Sequence, residues 1–178
     1  MTGARWLDER EQRAWRSLMV MQEGLAEFVD RRLRTRCGLS NADYQVLAHL
    51  SEAPGGRLRP FELGGLLRWE KSRLSQHLGR MEKRGLVTRE RCLTDQRGAV
   101  VAITAAGGDL IRAAAPRHVA DVRAAVVDHL TEDELRTLTT IGDKVRARLA
   151  ELERLAELER LAELEGRAEL GRDPVTPG

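Results

Sequence analysis

Between Lys71 and Arg97 the chain gathers side chains that donate hydrogen bonds or carry positive charge, Lys71, Ser72, Arg73, Ser75, Gln76, His77, Arg80 and Arg84, then Arg97 two residues after the acid Asp95. At 3.6 residues per turn Arg73, Gln76, His77, Arg80 and Arg84 share one stripe of a helix, and Leu74, Leu78 and Met81 fall on another roughly a quarter turn away. The apolar stripe must be core and the polar row must look outward. An exposed row of short donors and cations with few acids suits the floor and walls of a DNA major groove. An Arg bridging a guanine edge contributes about 1–3 kcal/mol of discrimination, and Arg73 is the best candidate for that role. Lys71, Ser75 and Arg80 suit phosphates, which set register. His77 divides between a base contact and a neutral structural role, and the competing reading of the whole row is an ordinary solvated helix face.

The segment after the helix favours the first reading. Gly85 stops the helix as a C-terminal glycine should. Leu86 to Cys92 has strand composition, and Ala99 to Thr104 returns after a loop ending in Asp95-Gln96-Arg97-Gly98. Over Ser72 to Thr104 the pattern S-x-L-S-x-x-L-x-R-M-E-K-R-G-L-V, then D-x-R-G-x-x-V-x-I-T, resembles the MarR family of bacterial transcription regulators. The resemblance implies a winged helix-turn-helix, mainly α with a small β-hairpin wing (α+β), flanked by N- and C-terminal dimerisation helices. It implies a homodimer on a pseudo-palindromic double-stranded DNA operator, usually a repressor, with Arg97 in the minor groove and Asp95 bracing it or a neighbouring Arg. It also implies release by a small phenolic or anionic effector; some such regulators sense oxidants or metals instead. One departure is local: where the family commonly has Gly and then a Ser N-cap, this chain has Arg68, Trp69 and Glu70, which leaves the start of the helix open.

The flanking elements are those needed to carry such a site. Asp8 to Arg36 has apolar residues at spacings of three and four, as expected of a long helix in a dimerisation segment at 1–39. The DNA-binding segment is 40–104. Ser40 and Asp43 form a capping box for a short helix that ends before Ala53-Pro54-Gly55-Gly56, Leu58 suits a short third strand, and Pro60 suits a first helical position. C-terminal dimerisation helices occupy 105–150: Gly107 and Gly108 weaken the start of the first, and Pro116 predicts a kink or break. Thr131 and Glu134 cap the next, whose Leu135, Leu138, Ile141, Val145 and Leu149 form an expected buried stripe. The tail, 151–178, continues a hexad repeat, Arg-Leu-Ala-Glu-Leu-Glu, that begins at Arg148, Arg154 and Arg160. Leucines at every third position wind around a helix rather than lining one side, so an exposed helix fraying before Gly166 and a disordered end at 173–178 are expected.

Composition narrows the classes further. The net charge of +2 over 178 residues hides a basic centre: from 57 to 98 eleven basic residues face five acidic ones, balanced by acid-rich ends. No nucleophile elbow, phosphate-cradling Gly loop or metal-hydrolase pattern is present, so an enzyme is not expected, nor a cofactor. No apolar run approaches a membrane span or signal peptide, and a cytoplasmic protein is expected. Cys37 and Cys92 show no metal spacing and read as reduced thiols; Cys37, among Arg34 and Arg36, is the candidate redox residue. Trp15, Tyr44, His49 and His118 are the candidate effector pocket. A winged-helix module that binds another protein remains the rival class, and steep salt dependence of binding separates the two.

Overall fold

The computed structural model describes residues 5–91 and 99–170, which form six α-helices and a small three-stranded sheet. The chain forms two units, 1–126 and 127–178. Helix α1 (Glu9–Cys37) starts where Asp8 and Glu11 cap each other's backbone and ends where Gly38 turns left-handed at φ 64°. Leu39, just past that glycine, donates its N–H to the Leu33 carbonyl and is fully buried, so the end of α1 is pinned to the core. Helix α2 (Asn41–Glu52) carries the expected capping box at Ser40 and Asp43, and a 3-10 turn at Pro54–Gly56 leads into strand β1 (Arg57–Leu58). Pro60 does open helix α3 (Pro60–Leu67).

Helix α4 (Lys71–Lys83) is followed by β2 (Val87–Arg91) and β3 (Ala99–Ile103). The strand order is β1-β3-β2 and both pairings are antiparallel, with Leu58 opposite Val101 and Val87 opposite Ile103. The third strand expected at Leu58 is therefore present. Val46, Leu47, Leu50, Leu63, Leu78, Met81 and Val101 form the centre of one core, to which α1 contributes Leu33. Full burial of each such side chain stabilises the fold by about 1.5–3 kcal/mol.

Helix α5 (Ala105–Ala125) corrects two expectations. It runs through Pro116 as one helix. A proline there removes one backbone hydrogen bond, but α5 is anchored on both sides of it, by buried Ile111 and Ala114 before and by Asp121 after, whose carboxylate meets Arg36 at 3.1 Å and Arg32 at 3.6 Å. Nor is its start weak. Thr104 accepts the Gly107 N–H at 3.0 Å, and Gly107 is buried where a Cβ would stand 2.2 Å from the Leu86 carbonyl oxygen. The glycine permits α5 to touch the chain at the root of the wing.

In the second unit α6 (Glu132–Leu170) is capped by Thr131 and Glu134 as expected. It does not fray before Gly166, because backbone hydrogen bonding continues to Leu170; residues 173–178 lie outside the described residues. The stripe expected to be buried is not: Leu138, Ile141, Val145 and Leu149 are exposed, as are the repeat leucines Leu152 to Leu164. The periodicity marks an apolar face correctly, but its own chain does not cover it. No described helix is long and apolar enough to cross a membrane.

Candidate nucleic-acid interface

The outer row of α4 begins with how its inner row is held. Leu74, Leu78 and Met81 are buried, which fixes the rotation of the helix and leaves Lys71, Ser72, Arg73, Ser75, Gln76 and Arg80 exposed. The turn before it closes through a left-handed Arg68 at φ 53°, with the Arg68 N–H donated to Gly65 and the Trp69 N–H to Gly64 at 3.0 Å. This is the helix ending usually made by glycine. Glu70 is the N-cap and makes no side-chain capping bond, so the first turn of α4 keeps N–H groups facing outward near Ser72 and Arg73. The start left open by the sequence is thus Lys71.

Two members of the expected row lie elsewhere. His77 is only 7% exposed, and its Nε2 stands 3.1 Å from Asp43 Oδ1 without the alignment of a hydrogen bond. Arg84 turns back to donate to Asp43 Oδ2 at 2.7 Å and to the Gly38 carbonyl at 2.7 Å. On the helix His77 is about 60° from the centre of the apolar stripe, nearer than Arg73 or Arg80. Of the two roles left open for His77, its burial matches the structural one, a link to α2. Burial alone would raise the Asp43 carboxyl, but His77, the Ser40 backbone N–H and Arg84 outweigh it and hold it well below the usual carboxylate range.

The exposed cations are positioned by neighbours of which Trp69, Arg89 and Glu82 were not assigned to the site from the sequence. The Arg73 guanidinium lies over the Trp69 ring, 4.4 Å from its centroid. Arg80 meets His77 Nδ1 at 3.0 Å. Arg89, on β2, donates to the Ser75 carbonyl at 2.9 Å and its N–H to Glu82, tying the wing to the middle of α4. Among the described residues no carboxylate pairs with Lys71, Arg73 or Arg80. Arg73 and Arg80 also edge a cleft of about 410 Å³ reaching back to Arg34, Asp43 and Arg84. Its acids are occupied: Asp30 pairs with Arg34 at 2.6 Å, which lowers the Asp30 carboxyl, and Asp43 pairs with Arg84. The sequence signals for these contacts are short spacings, four residues from Trp69 to Arg73 and from Asp30 to Arg34 and three from His77 to Arg80, whereas the ties of Arg89 and Arg84 join separate elements.

The remaining candidates scatter. Asp95, Arg97 and Cys92 lie outside the described residues. Of the expected pocket, Tyr44 and His118 meet, with ring centroids 4.4 Å apart; burial lowers the His118 imidazole and raises the Tyr44 phenol. Trp15 is 53% exposed on α1, and neither it nor His49 joins that ring pair. Cys37 is half-buried against the core. Among the described residues no three His, Cys, Asp or Glu side chains are grouped to hold a metal ion.

Comparison with known proteins bears on the family and the fold. Residues 38–98 match the profile of the MarR family. AbsC, a MarR family transcriptional regulator from Streptomyces coelicolor, is 36% identical, with 82% of this chain and 98% of AbsC covered at a TM-score of 0.79. Sco3205, a MarR family transcriptional regulator from Streptomyces coelicolor solved in complex with DNA, is 38% identical, with 82% and 91% covered at 0.78. S. aureus MepR, solved with DNA, is 18% identical and shares the fold, at a TM-score of 0.67 over 76% of this chain and 96% of MepR. On this identity and coverage, the chain belongs to the MarR family of transcriptional regulators.

Proposed function

We propose that this regulator binds a pseudo-palindromic operator as a homodimer, with α4 in the major groove and the wing in the minor groove. The observation that carries the reading is the exposed row Lys71, Ser72, Arg73, Ser75, Gln76 and Arg80 on a helix whose opposite side is locked into the core. Arg73 reads a base edge, Ser72 and Gln76 complete the readout, and Lys71, Ser75 and Arg80 hold phosphates. Arg97, braced by Asp95, enters the minor groove, where negative potential concentrates. One such module buries too little for tight and specific binding, whereas two related by a two-fold axis span half-sites about one helical turn apart. Dimerisation falls to residues 1–39 and 105–150, in keeping with the apolar side chains that α1 and α6 leave exposed.

Regulation is repression relieved by a small anionic or phenolic effector. The cleft beside α4 supports this: of the four arginines that line it, Arg34 and Arg84 pair with its two aspartates, and Arg73 and Arg80 have no carboxylate partner among the described residues. Hydroxyl-radical footprinting on DNA from upstream of the protein's own gene tests the whole reading. Two protected patches about 10 base pairs apart, both lost when an aromatic acid is added, are expected; a single patch, or none, contradicts it.

A further inference from the structure

The reading of Arg73 as the base contact leaves one question, which is what aims it. Arginine is long and rotamer-rich, and ordering it on DNA opposes binding. In the free protein it is already placed over the Trp69 ring. Trp69 is itself immobilised from three sides. Its backbone N–H is tied to the Gly64 carbonyl at 3.0 Å, its side chain is half-buried against the core, and the His77 ring meets it edge-on at 5.2 Å and 85°. His77 in turn is buried 3.1 Å from the Asp43 carboxylate. Among the described residues no acid competes for Arg73. A guanidinium resting on an aromatic face uses that face and keeps its planar fork of N–H donors for another partner.

We propose that Trp69 is a positioning residue for sequence readout: it holds the Arg73 guanidinium ready for a base edge, and His77 fixes the indole that does so. The proposal rests on Arg73 reading a base and concerns specificity, not overall affinity. Phosphate contacts made elsewhere on α4 do not depend on it.

The test measures, at one salt concentration, affinity for a duplex selected by the wild-type protein from random sequence and for an unrelated duplex of equal length. The ratio of the two is the readout. Trp69→Leu is expected to lower that ratio roughly two- to fivefold, the range of an exposed aromatic–cation contact, while affinity for the unrelated duplex and its salt dependence hardly move. Trp69→Phe restores most of the ratio, and Trp69→Leu causes no further loss in an Arg73→Ala background. An unchanged ratio in Trp69→Leu overturns the proposal, and so does an equal loss with and without Arg73, which marks mere packing of the turn. If Arg73→Ala alone leaves the ratio intact, it is the base-contact reading that fails. Circular dichroism checks folding, and should Trp69→Leu unfold, Trp69→Met carries the same comparison.

Discussion

Asp43 is a charge kept in the core by its partners. It is 4% exposed, and it joins the start of α2 to the middle and end of α4 through His77 and Arg84. Asp43→Ala leaves those groups without their anion and is expected to cost about 2–4 kcal/mol in urea denaturation, toward the lower figure because the Arg84 side chain is 43% exposed. The pH dependence has a definite sign. A carboxyl held below its ordinary value of 3.8 contributes stability that is complete above that pH and is lost as pH falls through the lower folded value. The gap between wild type and Asp43→Asn, open at neutral pH, is therefore expected to close in more acid solution; a gap that widens there contradicts the account. Half of this was legible. Asp43 as a capping acid three residues after Ser40 is local information, but its tie to Arg84 crosses 41 residues and exists only once the helices pack. For the same reason the sequence pattern sets His77 in the outer row, although its angle already places it closest to the core.

At the scale of elements, helix ends decide where α4 points. Gly38 and Gly85 end α1 and α4 in the left-handed region, and Arg68 does the same work for α3 with a Cβ that disfavours it. Arg68→Gly is expected to raise thermal stability by about 1 kcal/mol, and a loss of stability means that the arginine side chain makes up for its backbone. Gly107→Ala is the opposite case. The new methyl meets the Leu86 carbonyl, which also accepts the Thr104 N–H at 3.2 Å. Separation of α5 from the wing root is expected to cost about 1–3 kcal/mol by thermal melting. Caps, strands and the Pro60 start were legible because each signal lies within four residues of its effect. Gly107 was not, since the atom it must avoid belongs to a residue 21 positions earlier, and Pro116 misleads because the anchoring of α5, in the core before it and to α1 after it, is a tertiary fact.

For the whole molecule, the surface that the single chain leaves uncovered says most. The α6 stripe repeats correctly yet stays in solvent, with Ile141 51% exposed. If two chains bury it together, light scattering gives twice the 20.0 kDa chain mass, and Ile141→Glu gives a monomer; a wild-type monomer that binds DNA tightly contradicts the dimer. The density of the motif from Ser72 to Thr104 made the family and fold legible, while the roles of Trp69 and Arg89 depend on distances between elements. The measurement that bears most directly on the central claim is a binding titration against DNA from upstream of the protein's own gene, at two salt concentrations, with Arg73→Ala and Arg97→Ala beside wild type. Tight, sequence-dependent binding that weakens steeply with salt and is lost in both variants is the predicted result. Weak binding that neither substitution changes would contradict it and move the reading surface away from α4 and the wing.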